Sequence, residues 1–338
     1  MFFASDNGAP CPAPVMQALM RANDGPAMPY GNDSFTTAAA DRIRTVLEAP
    51  QAAVHFVATG TAANALALAT LCPPWGAIFC HDLAHVQNDE CGAPEFFSNA
   101  KLLTVGGDHA RMTPAALDAR IRDQGSRVVH SVQPGAVTLT NVTEAGTVYS
   151  PAETAALADV AHAHGLPVHL DGARFSNAVA ATGATPAELT WKAGIDALSF
   201  GGTKGGLLGA EAVVFFDPAR AWEFELRRKR GGHLFSKNRY LAAQFDGWLD
   251  GGLWLDLARH ANAMAARLAS GISAIAGAAL VHPTQANIVF ATLPQAAHDR
   301  LKAAGARYYD MGQGRARLVT SWATTASDVD AFLAHARG

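Results

Sequence analysis

Ala197-Leu198-Ser199-Phe200-Gly201-Gly202-Thr203-Lys204-Gly205-Gly206 sets a single lysine among glycines, directly after an apolar run over 195–200. The run reads as a buried strand. A cation at the C-terminal end of such a strand sits where open α/β sheets keep their ligands, and the glycines let backbone approach that ligand closely. Upstream, Val168-His169-Leu170-Asp171-Gly172-Ala173-Arg174 is a second apolar strand ending in a carboxylate. The interval between Asp171 and Lys204 holds about one βαβ unit, so neighbouring strand ends would present an acid and an amine to one pocket.

Working outward, the pattern over 53–58 is a strand that runs straight into Thr59-Gly60-Thr61-Ala62-Ala63-Asn64, with a helix from 61 to about 71. A small, hydroxyl-bearing turn at a helix N-terminus suits a phosphate, because unpaired N–H groups and the helix dipole both favour an anion; a plain threonine N-cap would look the same. Strand-like runs follow at 77–80, 102–105 and 128–132, with helices over 113–122 and 151–164, so strand and helix alternate and a mostly parallel sheet is expected. Glu144, in Thr143-Glu144-Ala145-Gly146-Thr147, falls on a loop at the pocket end. Ser5-Asp6-Asn7-Gly8 is turn chemistry able to lie across a site, and Tyr30 stands in a polar loop of the kind that reaches a partner or ligand. Past Lys204 come a strand over 212–216 and a helix ending in Arg227-Arg228-Lys229-Arg230, which reads as a solvated, dipole-complementing run with phosphate contact as the alternative. Helices over 236–248 and 253–275 lead to strands at 288–293, 307–310 and 317–321, interleaved with helices over 295–303 and 327–336. The expected division is an N-terminal segment near the site (1–14), a large domain (15–248) and a small α+β domain (249–338).

Composition narrows the function classes. With 49% hydrophobic and 16% charged residues in 338, the chain can bury a sizeable core, and a net charge of −3 leaves no overall basic field for nucleic acid or an anionic membrane. No apolar stretch approaches bilayer length and the first residues lack a signal-peptide pattern, so a cytoplasmic protein is expected. The four cysteines show no Cys-x-x-Cys spacing and read as free thiols. His81 and His85 stand four apart, yet Asp82 occupies the position where a metalloprotease helix needs glutamate, so no metal is expected.

A lysine for a Schiff base and an acid that keeps a pyridine nitrogen protonated are what a pyridoxal phosphate enzyme requires. A nucleotide-binding phosphate loop fits less well, because Gly-Lys should be followed by Ser or Thr, whereas Thr203 precedes Lys204 and Gly205 follows it.

The two strand motifs, together with Tyr30-Gly31-Asn32-Asp33, Thr59-Gly60-Thr61-Ala62-Ala63-Asn64, Arg227-Arg228-Lys229 and Arg317-Leu318-Val319-Thr320, resemble the low-specificity L-threonine aldolases, a fold-type I pyridoxal phosphate family related to the β-eliminating lyases. The resemblance implies an aspartate aminotransferase-like α/β large domain with a mostly parallel sheet and a small C-terminal α+β domain. It implies retro-aldol cleavage of L-threonine, L-allo-threonine and related β-hydroxy-α-amino acids, phenylserine included, to glycine and an aldehyde. It makes Lys204 the Schiff-base lysine, Asp171 the pyridinium partner, Gly60 and Thr61 the phosphate cradle, and His85 the histidine stacked on the ring. Ser5, Arg174 and Arg317 match groups near the substrate carboxylate, while Lys229 and Tyr30 resemble residues that reach a neighbouring subunit's site. A catalytic dimer, commonly a tetramer, is implied. Many members carry a second histidine in an Asn-Thr-His-Asn turn, where this chain has Asn141-Val142-Thr143-Glu144, so the general base is left among His85, Glu144 and an ordered water. Another fold-type I enzyme, a β-eliminating lyase or an aminotransferase, shares the Lys and Asp chemistry and stays the alternative.

Overall fold

The computed structural model describes residues 1–338. Seven strands, β1 (Ala53–Val57), β2 (Gly76–His81), β3 (Lys101–Val105), β4 (Gln133–Thr140), β5 (Val168–Gly172), β6 (Ala197–Gly201) and β7 (Glu211–Phe215), form one sheet in the order β1-β7-β6-β5-β4-β2-β3. The pairs β2–β3, β2–β4, β4–β5 and β5–β6 are parallel, whereas β7 runs antiparallel to both β1 and β6. β1 therefore points the same way as the parallel strands. Its C-terminal end, the ends of β4, β5 and β6, and the start of β7 all meet at one edge, where ligands of open α/β sheets bind.

The helix Gly60–Leu71 covers one face of this sheet, and every residue from Ala62 to Leu71 in it is buried. Its composition is nearly all Ala and Leu, small enough for close packing on the strands and free of a polar stripe that would demand water. Thr59 caps it, accepting the N–H of Ala62 on its hydroxyl at 3.2 Å. The opposite face packs on an aromatic cluster in which Phe200 lies 5.3–5.8 Å from Phe175, Phe245, Trp248 and Trp254.

Four further strands, β8 (Ala279–Leu280), β9 (Ile288–Thr292), β10 (Tyr309–Gly312) and β11 (Arg315–Val319), form an antiparallel sheet in the order β10-β11-β9-β8. The helices Leu253–Ser273, Gln295–Ala303 and Ala326–Arg337 belong to the same part of the chain. Phe3 is fully buried in the apolar cluster of this region, edge-on to Phe332 at 5.2 Å, so the N-terminus is anchored far from its sequence neighbours. No helix is long and apolar enough to cross a membrane.

Two expectations are corrected. Residues 128–132 are turn and coil, with Val128 and Val129 exposed, and the strand begins only at Gln133. Pro134 and Gly135, which punctuate most sequence patterns, sit near the start of β4, where the missing proline N–H costs little; a Cβ at Gly135 would collide with Cys72. The basic run over 227–230 is also not simply solvated. Arg228 is buried, bound by both Nη2 contacts to Glu225 at 3.0 and 2.8 Å and donating from Nη1 to the Phe56 carbonyl at 3.2 Å.

Candidate active site

Asn7, Thr59, Gly60, Thr61, Asn64, His85, Glu90, Thr140, Glu144, Asp171, Arg174, Thr203, Lys204 and Glu211 all line one cavity of about 240 Å³ at the shared strand edge. Polar side chains dominate its walls. Lys204 follows β6 in a single 3-10 turn, Thr203–Gly205, whose last carbonyl accepts the indole N–H of Trp248 at 3.0 Å. Burial and the nearby Arg174 cation hold the Lys204 ammonium below the usual lysine range, and Asp6, Asp171 and Glu211 oppose them. A lysine so placed keeps more of its free amine at neutral pH than a surface lysine does.

Asp171 ends β5, buried, beside Ser199 of β6 and Thr140 of β4 in the sheet register. Its Oδ1 accepts the Ala173 N–H at 3.0 Å and its Oδ2 accepts Asn64 Nδ2 at 2.9 Å. Asn64 uses the same amide nitrogen toward Glu90 Oε1, also at 2.9 Å, and that oxygen meets His85 Nδ1 at 2.9 Å. Asp171, Asn64, Glu90 and His85 are thus one connected chain. The contact with Glu90 raises the His85 pKa against the opposing effect of burial, and burial raises that of Glu90 itself. The turn containing Glu144 folds back so that its Oε1 accepts the backbone N–H of His85 at 2.7 Å; burial pushes this carboxyl up to about 7. His169, two residues before Asp171, lies between the Thr138 and Ser199 hydroxyls at 2.9 Å each, and burial lowers its pKa to about 4, so it stays neutral and ties three strands together.

Arg174 reaches the cavity with its fork already engaged: Nε donates to Asp6 Oδ2 at 2.6 Å and Nη2 to Asp6 Oδ1 at 2.9 Å. Asn287 Nδ2 donates to the same Oδ2 at 3.0 Å. Burial raises the Asp6 pKa, but the Arg174 charge and hydrogen bonds, with help from Lys204 and Asn287, bring it below the ordinary carboxylate range.

Of the residues expected at the site, Lys204, Asp171, Arg174, His85, Gly60 and Thr61 share the cavity wall. Ser5 lies beside it, accepting the Asn7 N–H at 3.2 Å. Arg317 stands off the wall within electrostatic reach of Arg174 and Asp6, its guanidinium 5.6 Å from the Tyr309 ring. Tyr30 and Lys229 are exposed and stack on each other, ammonium to ring centre 4.9 Å, outside the cavity of their own chain. Asp6, Asn64, Glu90 and Glu211 were missed as site groups by sequence reading. Glu90 stands in an irregular segment and breaks no pattern, whereas Asn64 interrupts an apolar helix and Glu211 heads an apolar strand, and those interruptions are the signal that could have found them.

The cavity suits pyridoxal phosphate. A Cβ built on Gly60 meets nothing within 4 Å, so the start of the Gly60–Leu71 helix opens onto free space where a phosphate can take its N–H groups. Across from it stand the amine of Lys204 and the carboxylate of Asp171, and Asn64 Oδ1, Glu90 Oε2 and Glu144 Oε2 are buried polar atoms with no hydrogen-bond partner. Sheet order, strand-end lysine and aspartate together define the architecture of the fold-type I pyridoxal phosphate enzymes.

A model of one family within that class, beta-eliminating lyase, matches residues 3–295. The chain belongs to this family, within its low-specificity L-threonine aldolase group. It is 44% identical over 338 residues to the low specificity L-threonine aldolase of Pseudomonas sp. (strain NCIMB 10558), covering 99% of this chain and 96% of that one. It is 45% identical over 325 residues to the Pseudomonas aeruginosa protein of the same name, covering 95% and 93%. The structure of Leishmania major threonine aldolase superposes with a TM-score of 0.93 at 29% identity, covering 99% of this chain and 98% of that one.

Proposed function

We propose that the cavity cleaves the Cα–Cβ bond of L-threonine, L-allo-threonine and related β-hydroxy-α-amino acids such as phenylserine, releasing glycine and an aldehyde, with pyridoxal 5′-phosphate as cofactor. The observation that carries this reading is the joint placement of Lys204, Asp171, His85 and an ion-paired arginine around one strand-edge cavity. When bound, the cofactor supplies the electron sink for the pair released at Cα.

The chain's own groups do the rest. Lys204 holds the cofactor through its amine, Gly60 and Thr61 hold the phosphate, and Asp171 holds a proton at the ring nitrogen, its own orientation set by Asn64 and the Ala173 N–H. Arg174, Arg317 and Ser5 would bind the substrate carboxylate, which orients the Cα–Cβ bond for cleavage. Because Asp6 occupies Nε and Nη2 of Arg174, that arginine offers Nη1, and Asp6 sets its angle. His85, with Nδ1 tied to Glu90, takes the β-hydroxyl proton on its other ring nitrogen. Glu144 acts on the backbone of His85 and holds the ring in place.

The functional unit we propose is a homodimer or a tetramer of such dimers, in which the exposed Tyr30 and Lys229 pair reaches the neighbouring subunit's site. Supporting this, Met28, Phe96 and Trp222 are also exposed, at 67, 76 and 72%. The four free cysteines favour a reducing, cytoplasmic setting.

The test pairs wild type with Lys204→Ala. Wild type should purify yellow and convert L-allo-threonine to equal amounts of glycine and acetaldehyde, and the variant should lose both colour and turnover. A yellow wild type that yields a keto acid and no aldehyde would replace aldol cleavage by elimination or transamination.

A further inference from the structure

One buried acid in the cavity has no part in the steps above. Glu211 opens β7, and its Cα pairs with Val57 at the end of β1 and with Gly201 at the end of β6. It therefore stands between the turn that starts the Gly60–Leu71 helix and the turn that carries Lys204. The residue is only 6% exposed, and it lines the cavity with Thr59, Gly60 and Thr61. Its Oε2 accepts the Gly202 N–H at 2.7 Å, and the Thr203 hydroxyl is a further hydrogen-bond partner of the carboxyl group.

We propose that Glu211 is a cofactor-binding residue held as a neutral carboxylic acid, which donates its O–H to the phosphate of pyridoxal 5′-phosphate, so that loading the cofactor takes up one proton from solvent at this side chain. The inference rests on the cofactor reading above. An ionised carboxylate beneath a phosphate would repel it, whereas a carboxylic acid supplies a short, charge-assisted hydrogen bond. Burial already pushes Glu211 up to about 7 before any cofactor enters, against the Thr203 and Gly202 hydrogen bonds, which favour the carboxylate. Of the charged groups facing it, Lys204 favours the carboxylate and Asp171 disfavours it. The helix side contributes Thr59, Gly60, Thr61 and Asn64, none charged, and Arg174, His85, Glu90 and Glu144 lie on the elements that follow β2, β4 and β5. Loading brings in an anion beside the carboxyl group, which drives Glu211 further toward its protonated form.

The experiment strips cofactor from the full chain and titrates it with pyridoxal 5′-phosphate, and separately with pyridoxal, which lacks the phosphate. Wild type and Glu211→Gln are compared from about pH 6 to about pH 9, a window above the ordinary glutamate range that brackets the value of about 7 to which burial pushes Glu211. Glutamine keeps a donor and an acceptor without a charge. Wild type should lose affinity relative to the variant by up to about tenfold per pH unit once Glu211 must be protonated to bind, and the difference should vanish with pyridoxal. Calorimetry of wild type alone, in buffers of different ionisation enthalpy, should show more proton uptake with pyridoxal 5′-phosphate than with pyridoxal, which keeps the test independent of how well the variant folds. A ratio of affinities flat across pH, or an equal proton uptake for the two ligands, overturns the inference while leaving the cofactor in place. A wild type that binds no pyridoxal 5′-phosphate overturns the cofactor reading and this inference with it.

Discussion

His85 and Glu90 show how a side chain in the cavity wall is tuned by a buried neighbour. Removing the Glu90 anion takes away the main influence raising the His85 pKa, so in Glu90→Gln that pKa falls. A histidine that must be neutral to accept a proton then remains competent to lower pH, and the acid limb of the kcat/KM profile should move toward acid. His85→Asn should lower kcat by about 10²- to 10⁴-fold with a much smaller change in KM, the signature of lost proton transfer. An unmoved acid limb in the Glu90 variant would deny His85 the role of base. Asp6 presents the opposite case, a residue whose value is in what it leaves behind. Asp6→Ala would strand the Arg174 guanidinium, whose side chain is 10% exposed, and should cost about 3–5 kcal/mol in urea unfolding. Lys204 lay open to sequence reading because charge is rare after an apolar strand; Glu90 did not, because it stands in an irregular segment whose link to the site runs through Asn64, 26 residues away, and Asp6 did not, because Arg174 is 168 residues away.

The turn that carries Lys204 owes its shape to Trp248. A Cβ on Gly205 would press inside the van der Waals surface of that indole, and one on Gly201 would lie 2.6 Å from the Ala173 backbone. Gly205→Ala should therefore lower stability by about 1–3 kcal/mol and reduce turnover as Lys204 shifts, measurable as a drop in Tm together with a loss of kcat. Helices and strands with a regular apolar period, such as Gln295–Ala303 and β5, were legible from the chain alone. The short helices His85–Asn88 and Ala93–Ser98 were not, since four to six residues hold too few turns to set a period. β4 was displaced by five residues because Val128 and Val129 look like strand and Pro134 and Gly135 look like turn, and only pairing with β2 and β5 decides between them.

The N-terminal segment links the two sheets to the site. Phe3 is buried against Phe332, its backbone N–H donates to Arg307 O at 2.7 Å, and three residues later Asp6 holds Arg174 and Asn287. Phe3→Ala should cost about 3–5 kcal/mol and, by loosening Asp6, raise KM for the amino acid more than it lowers kcat. A variant with the expected loss of Tm and an unchanged KM would separate the anchor from the site.

The amino-acid sequence by itself determined the class of fold, the strand-end positions of Lys204 and Asp171, and the chemistry those two imply, because a strand's side-chain period and the glycines around a buried charge are local properties. Tertiary structure alone decided the Asp171–Asn64–Glu90–His85 chain, the engagement of Arg174 by Asp6, and the burial of Glu211 in the cavity it lines with Thr59, Gly60 and Thr61. Each of these joins elements distant in the chain, and a carboxylate's protonation state and orientation depend on what surrounds it in space, which no window of sequence contains.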